Sequence, residues 1–270
     1  MFGFPVAQRT DDFVLRQNLL KTVVFQVRFP SVPDISARFA EFQDLLVDTF
    51  PIAQERKKQN FAIQFVDKTP IVSPVGSTDV NNLVLISQSG QSTFSIKEDE
   101  LTLTIVGNEY VNFKHTQGVL DKSVYRIGEA LRLTNLSRIS IRKINILAIP
   151  TELSLSLGVF YKALYHNLLT VTGTSLPASA FLYSGVSNYR FINDPYRLDL
   201  VYGITPEPGP DKSREFILDI DILNTSEENS FSNLNAVFQT INDELFNVFN
   251  WSINPELLEI INKNIDSSPT

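Results

Sequence analysis

The sequence predicts an α+β fold in which antiparallel sheets carry helices packed on one face. Three observations predict it. Strand-like stretches alternate apolar and polar residues instead of running solidly apolar, the pattern of a half-buried antiparallel sheet. They come in consecutive runs joined by short turn signals, and the runs are interrupted by stretches whose apolar residues recur at helical spacing. No fixed period marks a solenoid or propeller. The 270 residues suit two α+β halves, 1–150 and 151–270, meeting near Pro150 and packed as one compact unit. Whether the halves are duplicates of each other stays open.

Taken in order, residues 22–29 set Gln26 and Arg28 on one face against Phe25, Val27 and Phe29, a strand stopped by Pro30 and Pro33. Asp34 then caps a helix whose Ile35, Phe39, Phe42, Leu45 and Leu46 form its apolar stripe. Residues 52–60, with Glu55, Arg56, Lys57 and Lys58, read as a solvated linker or helix end. Residues 61–66, 83–88, 92–96 and 101–106 read as a meander of strands, and 69–80, which holds Pro70, Pro74 and Gly76, as a long loop. A helix runs from Tyr110 toward Leu136. Residues 137–149 form the longest strand: Arg138, Ser140 and Arg142 oppose Ile139 and Ile141, and the polar phase flips at Lys143, as a bulge or a change of covering layer would make it do.

The second half opens with a helix over 153–169 and a polar loop over 170–179. Three strands follow at 180–192, 196–204 and 214–223, linked by Asn193-Asp194-Pro195 and by the Pro206–Pro210 loop. A helix with Phe231, Leu234, Phe238, Ile241, Leu245 and Val248 on one stripe and a short one after Pro255 complete the chain.

Hydrophobic residues make up 43% and charged ones 20%, and 23 basic against 30 acidic side chains give a net charge of −7. That balance excludes disorder and a strongly basic nucleic-acid coat. With no cysteine, disulfides, thiolate metal sites and cysteine nucleophiles are closed, and two histidines, His115 and His166, are too few for a histidine-rich metal centre. Glycine-rich phosphate loops and a Gly-X-Ser-X-Gly elbow are missing. Neither a signal peptide nor a membrane-spanning run is present, so a cytoplasmic protein without membrane contact is expected.

The strand Val23–Phe29 with its helix, the meander entering Leu101–Val106 and Tyr110, the run Arg138–Asn145 and the Leu-Asp-Ile-Asp of Leu218–Asp221 resemble, in that order, a family of uncharacterised prokaryotic proteins of similar length. Ser140, where that family often has glycine, and Lys143, where it usually has an aromatic residue, depart from the pattern. The resemblance implies an intracellular bacterial or archaeal protein of two-half α+β architecture and brings no reaction with it.

Candidate site residues fall into three groups. Asp219 and Asp221 alternate onto one strand face, with Asp199 as a cross-strand neighbour and Glu215 on the same face. Clustered carboxylates of this kind suit Mg²⁺ or Mn²⁺ and metal-assisted phosphodiester hydrolysis; the favoured account is the solvent face of a half-buried sheet. Arg28, Arg138 and Arg142 make a strip that contacts phosphates or, as the favoured reading, pairs across strands with Asp219, Asp221 or Glu109. Tyr183, Tyr189, Tyr196 and Tyr202, with Phe191, are dense enough to form an aromatic contact surface. The leading expectation is a non-enzymatic interaction module, a subunit or an inhibitor or immunity-type partner in a larger assembly, binding another protein or itself and needing no cofactor. A metal-dependent phosphodiesterase built on the three aspartates and a nucleic-acid binder built on the three arginines are the alternatives.

Overall fold

The computed structural model describes residues 1–7, 19–66, 69–149, 167–168, 185–204 and 214–253. Its strands are β1 (Leu20–Arg28), β2 (Ile52–Val66), β3 (Thr69–Ile86), β4 (Ser92–Lys97), β5 (Glu100–Val106), β6 (Arg138–Ile149), β7 (Gly185–Asn193), β8 (Tyr196–Ile204) and β9 (Arg214–Asn224). They form one nine-stranded antiparallel sheet in the order β2-β3-β4-β5-β1-β6-β9-β8-β7. The helices α1 (Phe39–Leu46), α2 (Phe113–Leu120), α3 (Arg126–Ala130) and α4 (Leu234–Ser252) complete an α+β fold. A π turn, Asp121–Tyr125, joins α2 to α3.

The chain divides into two compact units: Met1–Val23 with Ser140–Ser226 and Asn233–Thr270, and Val24–Ile139 with Glu227–Ser232. The division therefore falls inside β1 and β6 instead of at Pro150, and each unit is built from separate stretches of chain.

In the Val24–Ile139 unit, period-two alternation puts Phe25 and Val27 of β1, Phe94 and Ile96 of β4 and Leu101, Leu103 and Ile105 of β5 on the covered side, each 3% exposed or less. Phe39, Phe42 and Leu46 of α1 and Phe113, Leu120 and Ile127 of the α2–α3 run are buried with them. Phe25 meets Phe113 with ring centres 6.1 Å apart, and Phe50 stacks on Phe94 at 6.0 Å. In the other unit Leu198, Leu200, Tyr202 and Ile204 of β8 and Phe216, Leu218, Ile220 and Ile222 of β9 share the buried face, and Leu234, Phe238, Ile241, Leu245 and Val248 of α4 are buried at helical spacing. Burying each such side chain stabilises the fold by about 1.5–3 kcal/mol before entropy is counted.

Four local expectations are corrected. Asp34 makes no side-chain cap; it sits at φ 58° before a 3-10 turn, Ile35–Arg38, that leads into α1. Residues 52–60 are strand, not linker, and 69–80 are strand, not loop. Pro70 and Pro74 are tolerated because β4 bonds β3 only over Asn82–Ile86; beyond that β3 pairs on one side, and two prolines four residues apart lie in the same phase, where a missing N–H costs no ladder bond. The third correction concerns β6. Its burial phase does not flip: Lys143 and Asn145 stand on the same alternating set as buried Ile139, Ile141 and Leu147. Lys143 Nζ donates to Asn242 Oδ1 of α4 at 2.8 Å, and Asn145 Nδ2 donates to the Leu218 carbonyl at 3.1 Å, so both polar ends are met on the covered side. Finally, Phe231 is not part of the α4 stripe; it lies in a 3-10 turn, Phe231–Asn233, and packs on Tyr125 at 5.5 Å. The helix expected at 153–169, apart from helical Asn167 and Leu168, the Pro206–Pro210 loop and the final helix lie outside the described residues.

Gly128 sits against the Phe231 ring so closely that a Cβ there would overlap it, whereas a Cβ at Gly118 of α2 meets nothing within 4 Å. Gly128→Ala is expected to lower unfolding free energy by about 1–3 kcal/mol through overpacking. Gly118→Ala is expected to be neutral or to raise it by about 0.4–1 kcal/mol; urea unfolding of the two variants checks the contrast.

Candidate functional site

The face of β7, β8 and β9 opposite α4 carries the acids that drew attention in the sequence. Register places Asp199 opposite Asp221, Val201 opposite Asp219, and Arg190 opposite Asp199. Two carboxylates facing each other across adjacent strands repel, so the arrangement needs cations. Arg190 Nε donates to Asp199 Oδ1 at 2.6 Å, and a guanidinium nitrogen of Arg197 lies 3.0 Å from Asp199 Oδ2. On Asp219, 6% exposed, Arg142 closes a bidentate pair, donating from Nε at 2.8 Å and from a terminal nitrogen at 2.5 Å. The hydrogen bonds to Asp219 raise the Arg142 pKa; burial opposes them, and the charges of Asp219 and Asp221 add to the rise.

The other unit repeats the device. Glu100, 3% exposed, accepts from Arg28 Nε at 2.9 Å, Lys97 Nζ at 2.8 Å and the Thr102 hydroxyl at 3.1 Å. Burial is the largest single influence on Glu100 and pushes its pKa up, but Lys97, Arg28 and Thr102 together outweigh it and hold the carboxyl below its ordinary 4.5. Arg138 donates to Gln26 Oε1. Of the three strip arginines, then, Arg142 takes one of the acids anticipated for it, Arg28 takes Glu100, and Arg138 takes an amide. Glu109 accepts serine hydroxyls instead.

Among the described residues no group of three or more His, Cys, Asp or Glu side chains could hold a metal ion. Nor is any helix among them long and apolar enough to cross a membrane.

The aromatic set separates. Tyr202 is fully buried, which corrects its reading as a contact residue; it stacks on half-buried Tyr189 with centres 5.9 Å apart. Tyr196 is half-buried, and Tyr183 lies outside the described residues. Phe191 lines a cleft of about 710 Å³ with Ile192, Phe4 and Trp251. The first residues help build it: the Phe2 N–H donates to buried Glu244 Oε1 at 2.8 Å, the Ala7 N–H to Asn247 Oδ1 at 3.1 Å, and Phe4 packs on Trp251 at 4.9 Å. Sequence reasoning missed this segment; Phe2 and Phe4 beside a single tryptophan were its only signal.

The second feature missed is the ribbon of β2 and β3. Among the described residues, 57–66 and 69–80 pair only with each other, with register shifts between Arg56 and Phe61 of the kind that bend a strand. The pairing extends for roughly 30 Å. It sets Phe61 opposite Pro74, Ile63 opposite Val72 and Phe65 opposite Pro70, alternating with Ala62–Ser73, Gln64–Ile71 and Val66–Thr69. Every second pair is apolar on both strands.

No family model matches the chain, and no curated protein is similar enough to count as a relative.

Arg142→Met is expected to cost about 1–3 kcal/mol, because it leaves a desolvated carboxylate beside a half-exposed gap that water partly reaches. Arg142→Met with Asp219→Asn should cost less than the two single changes added together, by about 1 kcal/mol in a double-mutant cycle. Glu100 gives a pH test. Its folded-state pKa lies below the unfolded value, so its contribution is complete above the ordinary 4.5 and fades as pH falls through the depressed value. In Glu100→Gln the loss of stability on acidification from 4.5 down to that value should be shallower than in the parent chain, as followed by urea titrations at successive pH.

Proposed function

We propose that this protein is an interaction module that docks onto a protein partner through the β2–β3 ribbon. The observation that carries the reading is the ribbon itself. A two-stranded ribbon that pairs with nothing else is marginal in water, because it offers one shallow face for burial and two open edges. This one alternates three apolar cross-strand pairs with more polar ones, the pattern of a ribbon that packs one face against something. Both of its edges are unbonded among the described residues, which adds strand pairing to face packing as a mode of attachment.

The competing readings draw on side chains already committed to each other. A metal-dependent phosphodiesterase needs carboxylates free to ligate, whereas Asp199 and Asp219 hold arginines. A nucleic-acid strip needs arginines free to meet phosphates, whereas Arg28 and Arg142 hold carboxylates and the net charge of −7 discourages capture of a polyanion. A subunit or an inhibitor of a larger assembly fits the ribbon equally well.

The test is a shortened chain in which residues 58–79 are replaced by Asn-Gly, a two-residue turn that closes the hairpin near Arg56 and Asn82. Far-ultraviolet dichroism and urea unfolding should show the remaining sheet intact. Affinity purification from the host, run in parallel on both chains, should recover a stoichiometric protein with the full chain and lose it with the shortened one. Light scattering separates the case in which the partner is a second copy. A partner retained equally by both chains, or no partner and a monomer for the full chain, overturns the proposal.

A further inference from the structure

Among the described residues Glu109 is held without a cation, as are Glu98, which accepts the Ser31 hydroxyl, and Glu244, which accepts the Phe2 N–H. Glu41, Glu100, Asp199 and Asp219 each have a cationic nitrogen within 3.0 Å. Glu109 has serine hydroxyls: Ser89 donates to Oε1 and Ser92 to Oε2, and no lysine or arginine reaches it among the described residues. The turn between β3 and β4 is wrapped to deliver them. Its Ser87 and Ser89 hydroxyl oxygens lie 2.9 Å apart, the Ser92 N–H donates to the Ser87 hydroxyl at 3.0 Å, and the Gln91 N–H donates to the Ser89 hydroxyl at 3.2 Å. Each carboxylate oxygen keeps a second acceptor direction.

That carboxylate lines a cavity of about 420 Å³ in the Val24–Ile139 unit. Phe50, Ile105 and Val119 supply apolar wall, His115 and Ser92 polar wall, and no basic side chain other than His115 lines it. The volume falls in the range of small-molecule sites, and the chemistry is that of an apolar slot with one anionic end. The hydroxyl donors bring no countercharge to the carboxylate, and no lysine or arginine is among the described residues that line the cavity.

We propose that this cavity binds a small organic amine, with the ammonium on Glu109 and the apolar stem against Phe50, Ile105 and Val119. An ammonium offers three donors, enough for the open lone pairs of Glu109 and a neighbouring hydroxyl, and a neutral or anionic head group leaves the carboxylate unanswered.

Benzylamine, benzyl alcohol and calcium chloride, each titrated into the full isotope-labelled chain and followed by amide chemical shifts, test it. Benzylamine should move the resonances of Glu109, Val111, His115 and Val119 saturably, with a dissociation constant of about 1 mM. Benzyl alcohol should bind at least tenfold more weakly. Glu109→Gln, whose amide oxygen still accepts a serine hydroxyl, should weaken benzylamine at least tenfold, and Val119→Phe, which fills the apolar wall, should weaken it whether or not the glutamine variant folds. Equal binding of the alcohol, no saturable shift with benzylamine, or the same shifts produced by calcium alone overturns the assignment.

Discussion

The structure rests on the parity of its strands: in β8 and β9 one alternating set is apolar and buried, as is the stripe of α4. Alternate residues of such a strand face incompatible demands. On the buried side a side chain must be apolar or reach a fixed partner; on the other, charges that crowd must be balanced. β9 shows both demands within one strand. Leu218, Ile220 and Ile222 meet the helix side, while Asp219 between them is nearly as buried and has both of its oxygens gripped by Arg142. A carboxylate that close to the sheet has little access to water, so the guanidinium supplies what solvent cannot. Lys143 and Asn145 show the converse: polar groups on the helix side are admitted because Asn242 and the Leu218 carbonyl stand at fixed positions to receive them.

The parity of the strands was legible in the sequence because it is local. β8 was placed at its observed bounds, β1 and β9 within two residues of theirs, and the opposition of Arg28 and Gln26 to Phe25 and Val27 holds. What was not legible depended on a partner distant in the chain. Lys143 looked like a phase change because an amine on a buried face has no local rationale; its rationale is an amide on a helix a hundred residues away. Prolines and a charge run made 52–60 and 69–80 look irregular, and only one-sided pairing, a property of sheet order, makes those prolines harmless. The arginine–carboxylate character of the open face was foreseen in kind, but the partner of Arg28 is fixed by the β1–β5 neighbourhood, which no spacing rule reveals.

A contrast between satisfied and unsatisfied features organises the functional reading. The conspicuous charges of Arg28, Arg142, Glu100, Asp199 and Asp219 meet each other or neighbouring cations. The features left over are quieter: a ribbon with unbonded edges and a glutamate that meets only hydroxyls. Neither has a motif. Each stands out only once its surroundings are known: Glu109 meets hydroxyls and lines a cavity, where Glu41, Glu100, Asp199 and Asp219 have found cations.

The order in which the chain leaves the ribosome gives the seat around Gly128 a different significance. The unit that begins at Val24 has its strands and helices in hand by Ile139, yet Glu227–Ser232, carrying Phe231, is made only after Ser140–Ser226, which belongs to the other unit. At ordinary elongation rates that interval is on the order of ten seconds. During it the groove beside Tyr125 and Gly128 is vacant and apolar, and the loop that must close to fill it is long. Completion of the unit that begins at Val24 thus waits on a segment made late in the chain, and Gly128 keeps open a place for a ring that arrives last.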